Sequence, residues 1–576
     1  MSTHDKLLAL PRYKERSFVA QDADLLDIKQ LKGYYQILTD CKVESDDMFE
    51  KWVLDRSELD SVLDQVGSVL YIDMTCQTDD KAKAQAYQDF TQNIVPVVMP
   101  LEDELNKKFL KLNEKFNLDE ERYKIYTREI KADVELFNEK NVDLRTQVEL
   151  LSQEYQTIMG AMTVEFDGIE KTMPEMSKYL LETDRDLRER AWKAVTARRL
   201  QDTDKLDDIF DQMIKLRHEI SQNAGCKNFA EYKFRSLHRF DYTVEDCKKY
   251  HQAMEECVLP LYTELVKKDK VLLGLDEFRP WDTAVDPMGR APLKPFEKDD
   301  QLINGVKKIF DKVDGELAAY FKEMKDAGCL DLASRKGKAP GGYQSSLNEA
   351  RKPFIFMNAV GLDGDVNTLL HEAGHAFHTF LSAHDPLSDY RHAPMEFCEV
   401  ASMAMELLGA EHLSEFYNSE DEKRSVKEHL EDILFVLIWV ATIDSFQHWI
   451  YDNPTHTREE RTESWLATLD RFSPNLVNWD GFEAARASMW HKQLHIFEVP
   501  FYYIEYGIAQ LGALQLWLNS KKDLPNALMA YKQGLSLGGS RPLPELFESA
   551  GIKFEFTKEI IQPLVQTVDD KLKEMA

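Results

Sequence analysis

VNTLLHEAGHAFHTF, residues 366–380, reads as a helix, and at its centre His371, Glu372, Ala373, Gly374 and His375 form an HExxH motif. At about 3.6 residues per turn, His371 and His375 stand one turn apart on the same face. Zinc takes imidazole nitrogens at roughly 2.0–2.1 Å, and an i, i+4 pair on a rigid helix supplies two of them without strain. Glu372 falls on the neighbouring flank. There it is too offset to compete as a ligand and close enough to hydrogen-bond a catalytic water, which is the position of a general base. Two unpaired imidazoles in an otherwise apolar helix would be costly, which argues against an incidental pair. One zinc per chain is the cofactor expected.

A catalytic zinc needs a third protein ligand and an open position. His378 continues the same helix and would have to reach past His375. The metzincin continuation asks for a glycine and a third histidine at positions that here hold His378 and Leu381, so that class is excluded. Downstream, MEFCEVASMAMELL (395–408) reads as a second helix with Glu396, Glu399 and Glu406 near one another on its surface. Composition leaves Glu396 and Glu399 both open as the third ligand.

Outward from these helices the chain is mostly α. Residues 79–162 carry helical periodicity, with Leu144, Val148, Leu151, Tyr155 and Ile158 at steps of four and three. Further helical stretches run over 184–226 and 244–273, the latter capped near Thr243. Four prolines between Arg279 and Pro295 forbid a continuous helix and predict an extended crossover. The glycine-containing segment RKGKAPGGY (335–343) precedes the apolar run Pro353–Val360, the best strand in the sequence. Asp365 is the expected N-cap of the motif helix. The reading is a mainly α protein with a small sheet.

Composition narrows the function classes. The 72 basic and 102 acidic residues leave a net charge of −30, which repels phosphate backbones and makes nucleic acid an unlikely partner. Residues 1–20 have no continuous apolar core and do not read as a secretory signal. The longest apolar run, Ile433–Ile443, is about half of the roughly 20 residues that span a bilayer and suits a buried core helix, so no membrane partner is expected. Seven scattered cysteines, Cys398 beside the candidate glutamates among them, include no CxxC pair and fit a reducing cytoplasm.

HEAGHAFH, followed by the E-x-x-S of Glu399–Ser402, resembles the thimet oligopeptidase and oligoendopeptidase F family of zinc peptidases. RKGKAPGGY (335–343), PFIFMN (353–358) and HIFEVPFYYIEYGIAQLGA (495–513) are similar to its oligoendopeptidase F branch. The resemblance covers most of the chain after about residue 185. It divides the protein into a helical N-terminal region, 1–185, and a catalytic region, 186–576. It implies an elongated helical gluzincin fold with a deep substrate channel and Glu399 as third ligand; Glu406, two turns further on the same face, would either orient a ligand histidine or be a plain surface glutamate. It also implies that His495, Tyr503 and Tyr506 donate hydrogen bonds to substrate and oxyanion. One further tyrosine of the thimet branch falls on Pro500 and does not transfer. Gly341 and Gly342 would form a flexible loop beside the cleft, and the strand at Phe354–Asn358 would pair with an extended substrate.

The activity expected is endopeptidase hydrolysis of short peptides, with Glu372 as general base. A carboxypeptidase of the same family is the nearest rival, and no GxMEN-like segment of the aminopeptidase kind is present. A catalytically silent peptide-binding protein is a rival from another class. An intact Glu372 argues against it, because binding alone needs no base.

Overall fold

The computed structural model describes residues 3–335, 337–339 and 341–575; Lys336 and Pro340 of the RKGKAPGGY segment lie outside the described residues. The chain forms two units interleaved in sequence. One comprises residues 1–137, 294–422 and 509–554, and the other residues 138–293, 423–508 and 555–576. Both are built mainly from helices, with short strands in each.

In the first unit the helices Ile28–Asp40, Asp46–Cys76, Val95–Asn113 and Glu120–Leu136 enclose a core that includes Leu31, Phe49, Trp52, Phe109 and Tyr126. Their starts are written in the sequence. Ser45 accepts from the Met48 amide at 3.2 Å, and Asp46 and Asp47 in the first turn favour the positive end of the helix dipole.

The same unit carries a three-stranded sheet. β1 (Thr163–Phe166) and β2 (Ile169–Thr172) form a separate hairpin in the second unit, whereas β3 (Leu330–Ala333), β4 (Tyr343–Leu347) and β5 (Lys352–Ala359) assemble in the order β3-β5-β4. β5 runs parallel to β3 and antiparallel to β4, with Tyr343 opposite Phe356. Pro353 through Met357 are all buried, which is why this strand reads as an unbroken apolar run. Its central place corrects the expectation that Phe354–Asn358 pairs with substrate. Its backbone groups already face β3 and β4, and the sheet's edges belong to those two strands.

The motif helix runs from Asp363 to Ser382. Asp365 is not its N-cap. It sits one turn inside the start, and its carboxylate reaches back to accept from the amides of Val360, Gly361 and Leu362 at 2.8, 2.8 and 2.9 Å. The helix packs against Met395–Gly409 at a close crossing. A Cβ on Gly374 would stand 2.5 Å from both Ala401 O and Ser402 Cα. Met395–Gly409 is buried almost all round, so Glu396 and Glu399, expected on a surface, are each only 3% exposed.

In the second unit, helices Arg185–Leu200 and Thr203–Asn223 occupy the expected 184–226 stretch, and Val244–Ala253 begins at a reciprocal cap between Thr243 and Asp246. The proline segment is non-helical apart from the turn Pro280–Asp282, where the buried Asp282 carboxylate receives Arg185 and Arg188. Among the described residues, Ser419–Asp452 alone is long and apolar enough to cross a membrane by length and composition. Of its apolar window, 72% is buried inside the protein.

Candidate metal centre and catalytic groups

His371 and His375 project from consecutive turns with ring centroids 5.0 Å apart. From the facing helix, Glu399 Oε2 lies 3.3 Å from His371 Nε2 and 3.4 Å from His375 Nε2. Ligand atoms about 2.1 Å from a tetrahedral zinc stand roughly 3.4 Å from one another, so these separations fit the ion. The donor set of two imidazoles and a carboxylate suits zinc as well. Among the described residues Glu399, and not Glu396, joins the two histidines in a metal-sized group.

The residues behind these donors fix their orientation. Glu406 Oε1 stands 2.6 Å from His371 Nδ1, which leaves Nε2 to face Glu399. Ser402 donates to Glu399 Oε2 at 2.9 Å. Burial pushes the Glu399 carboxyl up, but the adjacent His375 and His371 outweigh it and hold it well below the usual range. Burial likewise lowers His371, and the hydrogen bonds and charges of Glu399 and Glu406 carry it well above its ordinary value. Glu372, 6% exposed, is raised above the ordinary carboxylate value mainly by burial. His378 stands apart. It packs on Phe397, neither ring nitrogen has a hydrogen-bond partner, and burial pushes it down to about 3, so it is a neutral core histidine.

β4 brings a glycine to the general-base candidate. A Cβ at Gly342 would lie 3.4 Å from Phe356 O and 3.7 Å from Glu372 Oε1, so a methyl group here would sit in ordinary contact with that carboxylate. Gly341, at φ +93°, takes a backbone conformation open to glycine. The segment before them is tied down by Lys338. Its ammonium donates to Asp331 Oδ1 and Ala333 O, each at 3.0 Å, and lies 4.3 Å from the Phe356 ring centroid.

The second unit contains the other group. Gln493 Oε1 accepts from the Trp439 indole at 3.1 Å, so its amide nitrogen faces His495 Nδ1 at 2.9 Å. Nδ1 is therefore the acceptor, and in the neutral ring the proton sits on Nε2, 3.4 Å from Tyr506 Oη. Tyr503 packs edge-on to His495 with centroids 4.8 Å apart, and burial pushes its hydroxyl up to about 12.

Buried side chains hold the backbone of this segment. Phe501, at φ +66°, donates its amide to Gln447 Oε1 at 2.5 Å and accepts from Arg239 at 2.7 Å. Arg217 donates to Ile496 O at 3.3 Å and also bonds Phe497 O. Ser402 was visible in the sequence only as part of E-x-x-S. Gly342 was visible only as part of the glycine pair beside the cleft, and Gln493, Arg217, Arg239 and Gln447 carried no signal at all, since most of their partners are distant in the chain.

Comparison with known proteins gives the family. Residues 179–565 match peptidase family M3, and residues 21–137 match the Peptidase M3 N-terminal domain. Oligopeptidase PepF of Bacillus subtilis (strain 168) is 24% identical over 524 residues, which are 84% of this chain and 72% of that protein. The solved structure of PZ peptidase A with an inhibitor superposes with a TM-score of 0.89 at 28% identity, covering 97% of this chain and 99% of that one. Oligoendopeptidase F from Enterococcus faecium, at 15% identity and a TM-score of 0.62, covers 95% and 98% and shares the fold. With the larger match alone extending over more than half of its residues, the chain belongs to peptidase family M3 and is a metallo-oligopeptidase of the oligoendopeptidase F branch.

Proposed function

We propose that the protein is a zinc-dependent endopeptidase that cleaves internal bonds of short oligopeptides. His371, His375 and Glu399 hold one zinc, and Glu372 is the general base. The observation that carries this reading is the 3.3 and 3.4 Å spacing of Glu399 Oε2 from the two histidine nitrogens, with Glu372 next to the first of them on the same helix. Zinc bound there supplies a Lewis acid that polarises a carbonyl and acidifies water.

The chain's own residues do the rest. Glu406 holds the His371 ring, and Ser402 holds the Glu399 carboxylate. Glu372 takes a proton from the attacking water and passes it to the leaving amine. Its burial-raised pKa brings it nearer to the pH at which it works. His495 Nε2–H and the Tyr506 hydroxyl serve the developing oxyanion, with Tyr503 beside them. The outer edge of β4 offers backbone groups to an extended peptide. All of these residues fall within 186–576, the catalytic region of this reading. The seven free cysteines favour a reducing cytoplasm.

The test combines metal analysis of the full-length protein with mass spectrometry of peptide products. His371→Ala and His375→Ala should each lose one equivalent of zinc. Glu372→Gln should keep the metal and bind peptide while turnover nearly vanishes. Peptides acetylated and amidated at their ends should still be cut. Stepwise trimming of free C-termini with blocked peptides resistant would instead make it a carboxypeptidase, and full turnover in Glu372→Gln would remove the proposed base.

A further inference from the structure

Cys247 and His251 stand four residues apart on helix Val244–Ala253, and Asp444 and His448 stand four apart on helix Ser419–Asp452. Each pair shares one helix face, and the two faces meet in the interior of the second unit. Exposures are 1, 3, 0 and 7% for Cys247, His251, Asp444 and His448. One donor atom from each of Cys247, Asp444 and His448 lies within 4.8 Å of the other two. His251 Nε2 is 2.8 Å from Asp444 Oδ2, and His448 Nε2 is 3.3 Å from the same oxygen. Asp444 Oδ1 is buried with no hydrogen-bond partner, and His448 Nε2, also buried, makes no well-aligned hydrogen bond beyond its approach to Asp444 Oδ2. Aromatic rings close the surroundings: Phe234 and Phe501 lie 6.1 and 5.0 Å from the His448 ring, and Phe472 lies 6.3 Å from His251.

We propose that Cys247, Asp444 and His448 form a second, structural site for a divalent metal of the zinc class, with His251 holding Asp444 in place and a solvent oxygen in the fourth position. Charge supports the choice. A thiolate, a carboxylate and a neutral imidazole carry two negative charges, which a divalent cation cancels, so no net charge is buried. The alternative is a metal-free cluster. It keeps a carboxylate in the core with its Oδ1 lacking any hydrogen-bond partner, and leaves His448 Nε2 only the 3.3 Å approach to Oδ2. Sulfur, nitrogen and oxygen donors together select zinc over magnesium or calcium. Drawing the donors from within 4.8 Å to the roughly 3.5 Å of a tetrahedral site needs about 1 Å of movement, within the reach of side-chain torsions.

Such a metal would fasten two helices far apart in sequence directly behind the proposed catalytic segment. Gln447, next to His448, accepts from the Phe501 amide, and the His448 ring packs on Phe501. The site therefore braces the backbone that carries His495 and Tyr506.

Cobalt tests this without interference from the His371 centre, which has no sulfur ligand. Cobalt-reconstituted full-length protein should show a near-ultraviolet thiolate-to-cobalt charge-transfer band. The band should persist in His371→Ala and disappear in Cys247→Ser. Metal analysis should give about two equivalents in the wild type and about one in both Cys247→Ser and His448→Gln. His448→Gln also serves should Cys247→Ser fail to fold. Absence of the band from the wild type, its survival in Cys247→Ser, or an undiminished metal content in His448→Gln overturns the proposal. A wild type with one equivalent and the band present would instead show that only the Cys247 site fills, separating the two proposals.

Discussion

Glu406 Oε1 lies 2.6 Å from His371 Nδ1, so the ring is held from behind and its Nε2 is fixed toward Glu399. Removing such a partner leaves the ligand in place but frees it to rotate. Glu406→Ala should therefore weaken zinc binding about 10- to 100-fold without abolishing it. Competition against a chelator of known affinity measures this. An unchanged affinity would make Glu406 a bystander.

What the sequence made legible follows the range of each interaction. HEAGH places two histidines and a glutamate on adjoining flanks of one helix because helix geometry is local, and the cap at Thr243 is local too. The strand at 353–360 was visible because β5 is buried on both faces and so is continuously apolar. The choice between Glu396 and Glu399 was not, because both are buried glutamates on one helix and only the approach of the motif helix separates them. Asp365 misled for a related reason. An aspartate at either the N-cap or the third position of a helix satisfies free amides, and its place depends on where the preceding turn ends.

Gly374, at an unspecified position of HExxH, is required by packing. A methyl group there would meet backbone at Ala401 O and Ser402 Cα, which cannot swing aside as a side-chain tip can. Gly374→Ala should destabilise the protein by about 1–3 kcal/mol. It should also push Ser402 and Glu399 away from the histidines and cut zinc affinity. Urea unfolding and zinc titration read the two effects. A variant as stable and as zinc-avid as the wild type would contradict the close crossing.

Asp331 gives a pH-dependent stability. Burial raises its carboxyl, but Arg335 and Lys338 prevail and hold it at about 2. The ordinary unfolded value is about 3.9. The contribution is thus fully present above about pH 4 and is lost as pH falls toward 2, because the folded state then no longer binds fewer protons than the unfolded one. Arg335 is 41% exposed, so solvent screens part of it and about 2 kcal/mol is the most to expect. Asp331→Asn should be less stable by about that amount at pH 7, and the gap should narrow on acidification. A gap independent of pH would assign the loss to packing.

Tyr506 tests the second group. Its hydroxyl lies 3.4 Å from His495 Nε2, and Trp439 and Gln493 fix the far side of that imidazole so that Nε2 carries the proton. If both groups donate to the oxyanion, Tyr506→Phe should lower kcat roughly 100- to 1,000-fold with zinc content unchanged. Gln493→Ala should act indirectly, by letting the His495 ring turn or change tautomer, and should cost less. The two losses should then fail to add, because a misoriented His495 cannot share the oxyanion that Tyr506 no longer holds. A Tyr506→Phe effect below about threefold returns the tyrosine to core packing. Full additivity with Gln493→Ala would mean that the two act on different steps, and His495 alone would remain as the candidate donor.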